Sequence, residues 1–225
     1  MLLSFIQFIS THRLGDIMEK RLTDRLKNTN PFFVYTALFI LYEVLYVITN
    51  RIPTFYGPFE LPKIFYEDQI PLIPETSLVY ISIFGFMAIT IWMLPRKYKN
   101  PTAIIFMYLL FIHTFIFLFF PTIYPREEIT NKYGIFDWLM HDIIQELDTP
   151  RNCFPSLHVS LPFTMAFVWL KLSKKIGIVI LFIATLIALS TLTTKQHYLL
   201  DVFSAIAVSF ILVQLKFKNP QTSFY

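Results

Sequence analysis

Apolar and polar positions along this chain fall into long blocks rather than short periods. Six apolar runs, at about 32–49, 77–94, 102–121, 157–172, 175–194 and 198–214, alternate with shorter polar or proline-bearing segments. Crossing a bilayer takes about 17–25 predominantly apolar helical residues. The pattern therefore predicts an all-α integral membrane protein with six transmembrane helices. The runs at 157–172 and 198–214 sit at the short end and begin with polar residues. Those starts fit a span only if they lie in the interface or in a wet cavity, which is what a membrane active site produces.

Three further pieces surround or interrupt the 32–214 membrane domain. Residues 1–31 carry Arg13, Lys20, Arg21, Arg25 and Lys27 among apolar positions, a composition that predicts an interfacial amphipathic helix. The apolar stretch 1–9 has no basic region before it and no small-residue cleavage site after it, so a cleavable signal peptide is not expected. Within the third loop, 136–147 reads as a short amphipathic helix with Trp138 as an interface anchor. Residues 215–225 form a tail.

Composition agrees with this picture. The 225 residues are 55% hydrophobic and 15% charged, with a mean hydropathy of +0.56. Soluble domains carry about a quarter charged residues, so this chain lacks the charge to stay in water. Its single cysteine, Cys153, cannot form an internal disulfide. A cysteine-phosphatase reading of Cys153 needs an arginine six residues on, and position 159 is Val; Cys153 is read as packing. The net charge of +4 is modest, and no basic run interleaved with aromatics suggests nucleic acid.

The distribution of charge is more telling than its sum. With six spans, thirteen Lys and Arg fall on the side of the termini and six on the other. The positive-inside rule then places both termini in the cytoplasm and the loops 50–76, 122–156 and 195–197 outside. Arg126, Ser156, His158, Lys195 and His197 thus share the outer face.

Two segments on that face carry chemistry. In Asn152-Cys153-Phe154-Pro155-Ser156-Leu157-His158, Ser156 stands where the N-cap of the fourth span is expected. First-turn amides of a helix lack internal partners and attract anions, and His158 lies in that turn. In Lys195-Gln196-His197-Tyr198-Leu199-Leu200-Asp201, His197 and Asp201 are four apart and share a helical face. An unpaired carboxylate within a span costs about 2.5–3.5 kcal/mol, so Asp201 needs a partner, and His197 is the nearest candidate. A carboxylate on one ring nitrogen leaves the other as base or nucleophile. Lys195 is a phosphate ligand or a solvated flanking charge. Arg126, after Pro125, clamps a phosphate bidentately or anchors a helix end.

Together these elements resemble the type 2 phosphatidic acid phosphatase superfamily. Its pattern runs from a Lys and Arg-Pro element to Pro-Ser-x-His and then Ser-Arg-x5-His-x3-Asp. Here Pro155-Ser156-Leu157-His158 matches the second element, while Ser190, His197 and Asp201 match the third at its spacing. Thr191 stands where the family has arginine, and Arg126 only approximates the first element. The departures look like the branch of inositol phosphorylceramide synthases and their bacterial relatives. The resemblance implies a bacterial inner or plasma membrane.

Carried over, it implies His197 as nucleophile forming a phosphohistidine, Asp201 as its orienter and His158 as the acid for the leaving oxygen. Ser156, Lys195 and Arg126 would bind phosphate oxygens. The substrate would be a lipid phosphate or polyprenyl diphosphate in the bilayer, and no cofactor or metal is called for. His158, His197 and Asp201 could ligate zinc, but a third strong ligand is not obvious. His113 and His141 read as packing or interfacial residues. Glu43, about 9 Å inside the outer end of the first span at 1.5 Å per residue, faces the site or neutralises a basic neighbour. Two rivals remain at this stage: a phosphotransferase passing the group to an alcohol, and a non-catalytic transporter using an intramembrane His–Asp pair.

Overall fold

A computed structural model describes residues 21–22, 24–26, 29–51, 57–126, 134–145 and 149–217. The expected N-terminal amphipathic helix and the end of the tail lie largely outside them. The described chain is mostly helical. Helix α1 spans Pro31–Arg51. A second crossing, Pro74–Met93, joins a 3-10 turn to α2 (Ser77–Ile81) and α3 (Ile83–Met93). Helix α4 is Arg96–Phe119, α6 is Leu157–Leu172, α7 is Lys174–Thr193 and α8 is Leu199–Lys216. Between α4 and α6 lies α5, Ile135–Trp138, continued by a π-helical turn at Leu139–Ile144.

Five of these crossings are long and apolar enough to span a membrane, and α6, with 16 residues, is shorter. The observed bounds follow the apolar runs to within three residues, with one exception. Helix α4 starts six residues before the expected 102 and takes Arg96, Lys97, Lys99 and Pro101 into its first two turns. Its early turns hold polar partners: Tyr35 Oη donates to the Lys99 carbonyl at 2.8 Å and Thr102 Oγ1 to the Tyr98 carbonyl at 2.8 Å. The loop helix also differs from expectation, since it changes to π geometry after one α turn.

Helix α6 is the axle of the bundle. Val159, Ser160, Pro162, Phe163, Thr164, Met165, Ala166, Val168 and Trp169 are all buried, against Ile180, Ala184 and Ile187 of α7 and Val202, Ala205 and Val208 of α8. Surrounded by protein rather than lipid, α6 tolerates polar positions that an exterior span would not. Ser209 Oγ donates to the Ser160 carbonyl at 2.8 Å. His113 Nδ1 donates to the Leu109 carbonyl at 2.8 Å, which leaves Nε2 to accept from Ser160 Oγ at 3.0 Å. His113 thereby ties α4 to α6.

Lipid tails are as apolar as the spans, so helices associate in a membrane through close packing and hydrogen bonds. The turn from α6 to α7 shows how close: a Cβ added at Gly177 would lie 2.5 Å from the Leu170 amide nitrogen. Large side chains of α7, such as Ile178, Phe182 and Leu189, are exposed, as lipid-facing positions require.

One end of the bundle is covered by laced loops. Strand β1 (Phe59–Glu60) pairs in parallel with β2 (Thr122–Ile123), and Ile123 bridges Arg151. Tyr124 N–H donates to the Pro150 carbonyl at 2.9 Å, and Phe154 N–H to Thr122 Oγ1 at 2.9 Å. Asn152, in a left-handed conformation (φ 59°), sends Nδ2 to Thr49 Oγ1 at 2.7 Å and so pins this layer to α1. The two short strands lie beyond what apolar patterning foresees, because each holds only two residues.

Candidate active site

The polypeptide brings the two histidine segments together at the laced end. Helix α7 ends at Thr193, and Lys195 then adopts a left-handed conformation (φ 54°). Lys195 N–H returns to the Leu192 carbonyl at 3.2 Å and Gln196 N–H to the Thr191 carbonyl at 3.0 Å. This is the hydrogen-bond pattern of a Schellman turn, with lysine where glycine is usual. His197 N–H also reaches the Thr191 carbonyl, at 3.3 Å. Thr191 thus organises the turn through its backbone, while its hydroxyl donates to the Ala188 carbonyl at 2.7 Å.

Helix α8 begins after Tyr198, and Asp201 completes a capping box by accepting the Tyr198 N–H at 2.8 Å. The same oxygen, Oδ2, lies 3.2 Å from His197 Nδ1. One carboxylate therefore fixes both the helix start and the imidazole that precedes it. Asp201 is fully buried, and its Oδ1 has no hydrogen-bond partner among the described residues. With Nδ1 held, Nε2 is the ring atom left for chemistry.

The other segment meets this one through the backbone. After the cis Phe154–Pro155 peptide, Ser156 N–H donates to the Asp201 carbonyl at 3.3 Å. Ser156 occupies the N-cap position of α6, yet its hydroxyl makes no capping bond. It is buried, with no partner for Oγ among the described residues. His158, one residue into α6, has its ring centroid 6.4 Å from that of His197. Tyr80 of α2 stacks on His158 at 4.3 Å and sets its hydroxyl 3.3 Å from Nδ1. The two imidazoles are therefore each fixed at Nδ1 by a different neighbour.

The cations are placed differently from one another. Arg126 donates from its guanidinium to Gln196 Oε1, beside His197, and to the Gln145 carbonyl at 3.3 Å. Gln196 is buried and is itself held by Nε2 donating to the Thr194 carbonyl at 3.0 Å. Lys195 sends Nζ to the Ile70 carbonyl at 2.5 Å, so it fastens the first loop to the turn. Neither Tyr80 nor Gln196 was legible as a site residue, since each acts through a contact between segments about seventy residues apart.

Cys153 is buried and donates to the Pro150 carbonyl at 3.3 Å. It packs with Tyr124 and Tyr198. Burial, then the charge of Glu60, pushes the Tyr198 phenol well above its ordinary range. The Cys153 thiol also stands with His197 and Asp201 in a group whose ligand-type atoms lie within 4.8 Å of one another. The sequence groups His158 with His197 and Asp201, whereas the third member of this group is Cys153.

A cavity of about 1260 Å³ opens between α1, the α2–α3 crossing and α6. His158 and Tyr80 line it near the laced end, and Arg96 and Lys99 near the opposite end. Between them its walls are mainly apolar, including Phe39, Met87 and Leu110, and Glu43 faces into it from α1.

Residues 76–215, well over half of the chain, match the family model described as PAP2 superfamily. The chain belongs to the PAP2 superfamily. No curated protein and no solved structure matches it. The matched region begins at the 3-10 turn before α2 and ends within α8, so it contains both histidine segments and leaves α1 outside. Membership in the PAP2 superfamily points to a membrane enzyme of the phosphatase or phosphotransferase type acting on lipids.

Proposed function

We propose that this protein is an integral membrane phosphatase that hydrolyses a lipid phosphate or polyprenyl diphosphate through a phosphohistidine. The observation that carries this reading is the His197–Asp201 pair, 3.2 Å apart, with the His158 ring 6.4 Å away at the head of an apolar cavity. In the first step the His197 Nε2 lone pair attacks phosphorus and the bond from phosphorus to the leaving oxygen breaks. His158 gives its proton to that oxygen. In the second step water attacks the phosphohistidine, His158 takes the water's proton, and inorganic phosphate leaves with His197 restored. Asp201 holds Nδ1 and balances the positive charge that the ring acquires.

Ser156 and Arg126 bind the non-bridging oxygens in this reading, and Lys195 supports the turn beside them. The Arg126 guanidinium is bonded to Gln196, next to His197 in the chain, and is the cation offered here in place of the arginine that Thr191 replaces. Arg126→Ala is expected to raise KM for the lipid phosphate by about 10–100-fold, the range of a lost charge-assisted hydrogen bond. Initial rates of phosphate release against substrate concentration check this. The apolar cavity takes the lipid tail, with the phosphate at His158. The charge asymmetry supports a reaction on the outer leaflet with both termini in the cytoplasm.

A phosphotransferase is the second reading. Resemblance to the phosphorylceramide synthase branch favours it, as does a cavity larger than the roughly 300–1,000 Å³ of ordinary small-molecule sites. It shares the first step and differs in the nucleophile of the second. Purified protein in lipid nanodiscs, given phosphatidic acid, lysophosphatidic acid and a polyprenyl diphosphate, separates the readings. Phosphate release that persists in chelator is expected from at least one substrate. New phospholipid formed on adding diacylglycerol or ceramide, with no free phosphate, would replace the hydrolase by the transferase. Release that vanishes in chelator would count against the metal-free mechanism.

A further inference from the structure

Glu67 lies in the first loop, at the start of a 3-10 turn, Glu67–Gln69, and belongs to no motif of the chain. It is only 4% exposed. Its Oε1 accepts the Leu199 N–H at 2.6 Å, and its Oε2 accepts the Ile64 N–H at 3.0 Å. Leu199 is the first residue of α8 and stands two positions after His197. Glu67 therefore joins the loop to the helix start that carries the His197–Asp201 pair.

Three further contacts converge on the same short stretch. Lys195 Nζ meets the Ile70 carbonyl, Ile73 N–H donates to the Thr193 carbonyl at 2.9 Å, and Thr76 Oγ1 lies 2.7 Å from Thr193 Oγ1. All fall between 193 and 199, with His197 near the middle. Two carboxylates serve one helix start: Asp201 takes the N-cap amide and Glu67 the next one. A helix N-terminus carries partial positive charge and favours carboxylates there. Buried carboxylates persist where such bonds satisfy them.

We propose that Glu67 is a positioning residue for the phosphoryl-transfer step. It holds the first turn of α8 so that the His197 Nε2 lone pair stays aligned with phosphorus, and it touches no reacting atom itself. The inference rests on His197 being the nucleophile. A displacement of about 1 Å at a reacting group costs about 10²-fold in rate, so releasing the Leu199 amide should appear in kcat. A loop staple with no catalytic consequence would instead lower the melting temperature and leave kcat of the folded enzyme unchanged.

The test uses the full chain in nanodiscs with the best substrate of the lipid panel. Glu67→Ala is expected to lower kcat about 30–100-fold with KM within about two-fold. Glu67→Gln keeps an amide oxygen for the Leu199 N–H and is expected to recover kcat to within about five-fold of wild type. Should the alanine variant fail to fold, Glu67→Asp, one methylene too short to serve both amides, is expected to show the same kcat loss. Wild-type kcat in Ala or Asp overturns the proposal, and so does a rise in KM at constant kcat. His197→Ala is run alongside. An inactive His197→Ala with wild-type Glu67 variants sinks this inference alone, whereas a fully active His197→Ala sinks it together with the phosphatase reading.

Discussion

His197→Ala is expected to reduce lipid phosphate turnover by about 10⁴-fold or more, as removal of a nucleophile does elsewhere. The side chain is 7% exposed, and its Nδ1 is bonded to Asp201. In the proposed mechanism, taking it away removes the nucleophile that forms the covalent intermediate. In the proposed reading lipid binding should survive, because the cavity is lined by α1, the α2–α3 crossing, α4 and α6 and not by His197. The decisive measurement is trapping with a ³²P-labelled lipid phosphate, quenched in alkaline detergent and then split into acid-treated and alkali-treated halves. Wild type should retain acid-labile, alkali-stable label on protein, and the variant none. Label of equal size on the alanine variant would remove His197 from the mechanism.

The second large effect is Asp201→Asn, expected to lower kcat about 10³–10⁴-fold, the scale seen when the acid of a catalytic triad becomes an amide. Oδ2 currently receives two donors, His197 Nδ1 and Tyr198 N–H, while Oδ1 is buried without a partner. An asparagine has two ways to fit. It keeps its oxygen on both donors and buries an unsatisfied –NH₂ where Oδ1 lies, at a cost of about 1–3 kcal/mol. Otherwise it turns its –NH₂ toward Nδ1 and forces the tautomer whose Nε2 carries a proton and cannot attack. Either arrangement loses the charge that balances the phosphorylated ring. Single-turnover kinetics should show slow formation of labelled enzyme, and thermal unfolding in nanodiscs should show that the bundle remains. Wild-type kcat in this variant would leave Asp201 as a helix cap alone.

Much of the bundle was legible because lipid imposes a blunt rule on sequence. A crossing must be apolar for most of its length, so the runs around 77–94, 157–172 and 175–194 mark α2–α3, α6 and α7 closely. The rule weakens at helix ends. Arg96, Lys97 and Lys99 read as a loop and yet form the first turn of α4, because charged residues there sit beyond the apolar stretch without ending the helix. A spacing of four pointed to the His197–Asp201 contact, but His197 precedes α8, so the contact comes from the helix cap and not from a shared helical face. Its relation to His158, about forty residues earlier, was legible only through the matched motif and the shared face.

The supporting partners were not. Tyr80, Gln196 and Glu67 acquire their contacts from segments between 70 and 132 positions away, and nothing local distinguishes them from other loop and helix residues. Lys195 illustrates the converse. Its place before His197 suggested a phosphate ligand, while its left-handed backbone and its bond to the Ile70 carbonyl are outcomes of tertiary packing.

Helix α6 is about 24 Å long at 1.5 Å per residue for 16 residues, while the hydrocarbon layer of a bilayer is about 30 Å thick. Because α6 is enclosed by its neighbours, the shortfall need not thin the membrane around it. Its polar start is covered by protein instead: Ser156 is fully buried, and His158 beside it lines the cavity between the helices. A short helix inside the bundle can therefore begin with serine and histidine without presenting either to lipid, which a span on the outside of the bundle could not do.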